Sequence, residues 1–111
     1  MKHVTFADKS LLMGDDAADT LLEYARLIAG TRHADTVTLS SISTDGNTVD
    51  VSFLLNSNTV LVIETTNSAT EPPGNGPAVR EMQARIDAIV RPITAQAETP
   101  WGEADYAFPD S

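Results

Sequence analysis

The stretch from Thr36 to Thr66 constrains the fold most, because it holds three short apolar runs separated by two turn signals. Asp45-Gly46 stands in the first gap, and such a pair tolerates the positive φ angles of a tight hairpin turn. The middle run alternates between polar and apolar residues from Thr48 to Phe53, which predicts a strand with one face on a core and one in water. The stretch therefore predicts a meander of three antiparallel strands.

The outer two runs of this meander depart from simple alternation. In the first, Ile42 lies out of phase with Val37 and Leu39, and we expect a bulge near Ser40-Ser41 to restore the pattern. In the last, apolar residues occupy both faces from Val60 to Ile63, so we expect a strand that is central in the sheet or covered by a second layer.

A hairpin and a helix are predicted before the meander. Short apolar runs on either side of a polar turn predict a hairpin within residues 2–13. Apolar residues from Ala18 to Ala29 follow helical spacing, which predicts an amphipathic helix. Asp15 or Asp16 is expected to cap its N-terminus, and Gly30 is expected to end it.

A second helix is predicted after the meander, and it completes the fold class. Its apolar stripe runs from Val79 to Val90; Pro77 suits the first turn, and Pro92 is expected to end the helix. The order β-β-α-β-β-β-α predicts an α+β fold, an antiparallel sheet of about five strands with both helices packed on one face. We expect residues 1–92 to form this single domain and residues 93–111 to form a C-terminal tail.

Charge and composition bear on the partners that the protein can bind. The chain has 16 acidic and 7 basic residues, a net charge of −9, which repels phosphate backbones and favours a basic protein partner over nucleic acid. No apolar run approaches the ~20 residues that cross a bilayer, so we expect no membrane insertion. The absence of cysteine suits a reducing compartment, and we expect a cytoplasmic protein.

The candidate ligand motifs have simpler structural explanations. Asp15, Asp19 and Glu23 share a helix face that could bind a divalent cation, but an acidic, solvated first turn explains them as well. Gly74-Asn75-Gly76 precedes a helix without the lysine and the full glycine spacing of a phosphate-binding loop. We therefore expect no metal and no cofactor.

The tail has the composition of a docking segment, because aromatic residues anchor such segments and acidic residues steer them toward a basic groove. We predict partner-binding residues there, namely Trp101, Glu103, Asp105, Tyr106 and Phe108. Two alternatives are that the tail packs on the open face of its own sheet, or that it is disordered.

The sequence favours a small acidic, non-catalytic interaction protein, an adapter or an immunity or antitoxin-like neutraliser, that binds through its sheet face or its tail. The apolar residues on both faces of Val60–Ile63 add the expectation of a homodimer. The alternative is a small enzyme or ligand-binding domain with its site at the sheet–helix edge, using Asp8, Asp45 or His33.

Overall fold

A computed structural model describes residues 1–98, and their side chains as far as Val90. The strands are β1 (Lys2–Phe6), β2 (Lys9–Met13), β3 (Asp35–Ile42), β4 (Thr48–Leu55) and β5 (Leu61–Thr65), and the helices are α1 (Asp15–Ala29) and α2 (Gly76–Glu98). All neighbouring strands are antiparallel, in the order β4-β3-β2-β1-β5. The predicted α+β fold and its element order are therefore confirmed.

The third strand of the predicted meander does not return beside the second. β3 and β4 form the expected hairpin, with Gly46 at φ +88° in its turn. β5 instead crosses to the other edge of the sheet and pairs with β1, where Ile63 lies opposite Val4 and Leu61 lies opposite Phe6. This pairing brings the apolar residues of one face of β5 to the core, beside Val4 and Phe6.

The prediction that β5 is central in the sheet is therefore wrong, and the alternative, that a second layer covers it, stays a prediction. β5 is an edge strand, and Val60 and Val62 are 70% and 46% exposed on the side away from the core. Two apolar faces on a strand are typical of double burial, but the described chain supplies a layer on only one side of β5.

The predicted bulge at Ser40-Ser41 is also wrong. β3 pairs with β4 residue for residue from Asp35 to Ile42, so the alternation continues and Ser41, not Ile42, falls on the core face. Ser41 is fully buried, and its hydroxyl has no hydrogen-bond partner among the described residues. Because β3 is regular, residue 41 must face the core, and the polar hydroxyl of its serine is therefore buried.

The sheet is joined weakly at its middle. β2 and β3 pair only through Leu12 and Ile42. The Phe6 ring on β1 meets the Phe53 ring on β4 edge to face, with 5.2 Å between ring centroids and 84° between planes. In a flat sheet these strands would be about 14 Å apart, three strand spacings. The two halves of the sheet must therefore curl toward each other around the core.

Asn75 occupies the edge of β3 that β2 leaves unpaired. The Ser40 backbone N–H donates to Asn75 Oδ1, and Asn75 Nδ2 donates to the Ser40 carbonyl, each at 2.8 Å. The side-chain amide thus makes both hydrogen bonds that a neighbouring strand would make. The Asn75 carbonyl accepts from Val79 N at 2.8 Å and so also begins α2.

The start of α1 differs from the prediction. Gly14, not Asp15 or Asp16, is the N-cap, and both aspartates lie in the first turn, where they complement the helix dipole. A Cβ on Gly14 would lie 3.3 Å from Pro72 Cβ, so this tight contact favours glycine. Gly30 does end the helix, with φ −84°.

The prediction that Pro92 ends α2 is wrong, because the helix continues to Glu98. Proline removes one hydrogen bond and crowds the preceding turn. The residues that follow include Ala95, Gln96 and Ala97, which have high helix propensity and favour continuation.

We predict that Ser41→Ala stabilises the protein by about 1 kcal/mol, because it removes a buried hydroxyl that has no partner and changes the side-chain volume little. Urea denaturation measures the change. Ser57→Ala, at an exposed position between β4 and β5, is the matched control and should change stability by less than about 0.5 kcal/mol. A loss of stability in Ser41→Ala would show that the hydroxyl is satisfied.

We predict that Asn75→Ala destabilises the protein by about 2 kcal/mol, because it leaves the N–H and carbonyl of Ser40 without partners. Asn67→Ala, at an exposed position in the loop before α2, should have little effect. Hydrogen exchange at the Ser40 amide gives a local readout and should accelerate in Asn75→Ala alone. Unchanged exchange would contradict the pairing.

Candidate functional site

The sheet has an opening between β2 and the β3–β4 hairpin, just beyond the Leu12–Ile42 pair. Two adjoining cavities, of about 510 and 540 Å³, share Ser10, Leu11, Ser43 and Thr44 as lining residues. We call this opening the β2–β3 cleft and define it by those four residues with Leu12 and Ile42. It exists because the strands stop pairing there while their chains continue side by side.

One part of the β2–β3 cleft contains His3. Leu12 and Ile42 contribute apolar surface, and His3 lies opposite Leu12 on the neighbouring strand. His3 Nδ1 contacts Glu64 Oε1 at 3.0 Å, across the β1–β5 pair. Among the described residues, no hydroxyl group is hydrogen-bonded to the His3 ring, so the pair lacks the nucleophile that a hydrolytic triad needs.

The other part of the β2–β3 cleft combines apolar and acidic groups. Val49 and Val51 line it together with Asp8, Lys9 and Asp50. Asp45 follows the lining residue Thr44 in the β3–β4 turn, and its carboxylate accepts from the Ser43 hydroxyl and from Asn47 N. The border of the cleft is therefore acidic on balance, with the apolar surface exposed between the charges.

Two of the three residues proposed for an enzymatic site lie at the β2–β3 cleft. Asp8 lines the cleft, and Asp45 lies next to it but is hydrogen-bonded within its own turn. His33 is exposed in the loop after α1, where its backbone N–H donates to Thr31 Oγ1 at 3.1 Å. The alternative of an enzyme built on these three residues therefore receives no geometric support.

The predicted partner-binding residues of the tail, Trp101, Glu103, Asp105, Tyr106 and Phe108, lie outside the described residues. Docking through the tail stays a prediction.

Three acidic residues of α1 contact basic groups of the chain. Asp15 lies 3.4 Å from the N-terminal ammonium, Asp19 accepts from Lys2 Nζ at 2.7 Å, and Glu23 pairs with Arg26 at 2.6 Å. Residues 1–98 contain no group of three or more histidine, aspartate or glutamate side chains arranged to hold a metal ion. Neither helix, over the residues that are described, is long and apolar enough to cross a membrane.

A polar cluster that the sequence did not indicate joins α1, β3 and α2. The Tyr24 hydroxyl donates to Asp35 Oδ2, and Arg85 Nη1 donates to the same oxygen at 2.6 Å. Arg85 Nε also donates to Glu81 Oε2 at 3.1 Å, and Thr36 N donates to Asp35 Oδ1 at 2.9 Å. Tyr24 is buried, while the Asp35 and Arg85 side chains are about one-third exposed. The cluster ties both helices to the start of β3.

These contacts shift the pKa values of the cluster in opposite directions. The hydrogen bond from Tyr24 is the largest cause that lowers the pKa of Asp35, and the Thr36 N–H and the Arg85 charge add to it against the effect of burial. Burial, followed by the hydrogen bond to Asp35, raises the pKa of Tyr24. The folded state therefore favours a charged Asp35 and a neutral Tyr24.

Comparisons of the chain with protein-family models, with curated proteins and with solved structures find no match. The functional interpretation therefore depends on the geometry of the described residues.

We predict a pH dependence of stability that follows from the cluster. Because the pKa of Asp35 is lower in the folded state, its contribution is complete above its ordinary value of 3.8 and is lost as the pH falls further. The free energy of unfolding of the wild type should therefore fall relative to that of Asp35→Asn below this pH. Asp16→Asn, at an exposed position of α1, should keep the wild-type slope.

The alkaline limb of the stability profile has the opposite sign, because there the free energy of unfolding falls as the pH rises. Because the pKa of Tyr24 is raised, its contribution is complete below 10.0 and is lost as the pH rises through the higher folded-state value. Tyr24→Phe should lack this loss. Urea denaturation across the pH range measures both limbs, and parallel curves for the wild type and the two variants would contradict the cluster.

Proposed function

We propose that the protein is a non-catalytic interaction protein whose β2–β3 cleft binds an extended, basic segment of a protein partner. The supporting observation is the cleft itself, an opening in the sheet where apolar side chains are accessible beside an acidic border. An adapter or a neutraliser of an immunity or antitoxin type would use such a surface.

The shape of the cleft favours an extended segment over a compact ligand. The opening runs between two strands that have separated, so a chain lying along it would follow their direction. Successive side chains of an extended segment point to opposite sides of that segment. One set could contact Leu12 and Ile42 in the first part of the cleft, and the other set could contact Val49 and Val51 in the second part.

The charge of the cleft favours a basic segment. Asp8, Asp45 and Asp50 stand along it or next to it, against Lys9, and the net charge of the whole chain is −9. Complementary charge raises association rates and disfavours acidic competitors. Such attraction weakens as salt screens it.

We predict that a short labelled peptide of alternating valine and lysine binds the purified protein, and that the valine–glutamate counterpart does not. Fluorescence anisotropy at increasing salt measures the affinity, which should fall as salt rises. Leu12→Lys should weaken binding by at least roughly tenfold, because it removes apolar surface and repels the lysines of the peptide, and tenfold corresponds to about 1.4 kcal/mol.

Leu54→Lys is the matched control, since Leu54 is exposed on β4 outside the β2–β3 cleft, and it should leave the affinity unchanged. Asp8→Asn perturbs folding less than a substitution of Leu12. It should weaken binding about twofold to fivefold because it removes charge attraction, whereas Asp16→Asn should not weaken binding. Equal binding of the two peptides, or equal affinities for Leu12→Lys and Leu54→Lys, would refute the proposal.

A further inference from the structure

The free edge of β5 carries a concentration of exposed apolar side chains. Among the described residues, five large hydrophobic side chains are exposed, and three of them, Leu22, Val60 and Val62, lie at or near β5. Leu22 belongs to α1, and it lines, together with Thr59 and Leu61, a shallow depression of about 150 Å³ between α1 and β5. We call Leu22, Val60 and Val62 the β5 edge patch.

β5 lacks most of the features by which edge strands avoid pairing with other chains. Proteins protect such strands with proline, charged side chains (lysine above all), bulges or inward-pointing charges. β5 has no proline, lysine or bulge between Leu61 and Thr65; its one charged residue is Glu64, which contacts His3, and its pairing with β1 is regular over all five residues. Among the described residues no strand pairs with the outer side of β5, so its backbone N–H and carbonyl groups there can pair with another chain.

The opposite edge of the sheet is more polar. On β4, Asp50 accepts from the Ser40 hydroxyl at 2.9 Å, and the Ser52 hydroxyl bonds to Thr38 at 2.8 Å. These side chains lie on the solvent face of β4, where Leu54 is the large apolar residue that is exposed. The two edges therefore differ in apolar surface, although no strand of the described part of the chain pairs with either.

Charge at the β5 edge patch favours a second copy of this chain over a basic partner. Glu23 and Arg26 beside Leu22 form a 2.6 Å ion pair, and Glu64 on β5 contacts His3. With histidine counted as neutral, Glu64 is the single net charge among these four groups, in a chain whose net charge is −9. A twofold copy would bring one compensated ion pair and one acidic group from each side, so little like-charge repulsion opposes association.

We propose that two copies of the chain associate through their β5 strands, antiparallel, in a symmetric dimer with one continuous sheet. With the twofold axis near Val62, the Val62 side chains of the two copies lie opposite each other on the solvent side of the sheet. Leu61 then lies opposite Ile63 of the second copy on the core face, beside the depression next to α1. In this register Glu64 lies opposite Val60 of the second copy, so the two Glu64 side chains do not face each other.

The purified full-length protein tests this proposal by sedimentation velocity over a range of concentrations. The wild type should be a concentration-dependent dimer. Val62→Lys should raise the dimer dissociation constant by at least roughly tenfold, because lysine on an edge strand opposes strand addition. Leu54→Lys, at a similarly exposed position on β4, is the matched control and should leave the dimer intact.

A second substitution guards against misfolding, because Val62 lies in a strand. Leu22→Lys changes the β5 edge patch from the exposed face of α1, where lysine has high helix propensity, and it should also weaken the dimer. Circular dichroism confirms that each variant folds. A wild type that stays monomeric, or a dimer that Leu54→Lys dissociates while Val62→Lys and Leu22→Lys do not, would overturn the proposal. Peptide binding in the β2–β3 cleft is measured separately, so either proposal can fail alone.

Discussion

The single residue pair between Leu12 and Ile42 sets the shape of this molecule. Because β2 and β3 pair only there, the β3–β4 hairpin is free to curl until Phe53 meets Phe6 across the core. The same loss of pairing opens the β2–β3 cleft on one side of the pair. A fully paired β2–β3 ladder would close this opening.

Side chains complete the connections that the strands do not make. Asn75 supplies the hydrogen bonds that β3 lacks at Ser40, on the side of Ile42 away from the cleft, and it also begins α2. At the other end of β3, Asp35 receives hydrogen bonds from Tyr24 of α1 and Arg85 of α2. The hairpin that pairs least with the rest of the sheet is thus held at two points by polar contacts, which are directional and specify one arrangement.

Local sequence patterns predicted those elements whose residues interact with their neighbours in the chain. The Asp45-Gly46 turn, the strict alternation of β4 and the apolar stripe of α1 were sufficient for this reason. Predictions failed where distant residues decide the outcome. A bulge was predicted because an apolar side chain such as that of Ile42 is expected to face the core. Ile42 instead lies beside Leu12 on the face of the sheet away from the core, and Ser41 is buried. The contacts of Asn75 and Asp35 span 35 and 50 residues and leave no local pattern.

The sequence by itself determined the fold class, the order of the elements and the acidic character of the protein, because periodicity, turn residues and charge are local or additive properties. Only the tertiary structure decided that β5 lies at an edge beside β1, that the sheet opens between β2 and β3, and which apolar residues remain exposed. The physical reason is that a strand bonds through its backbone, which is the same for every residue, so its choice of neighbour depends on how the whole chain packs.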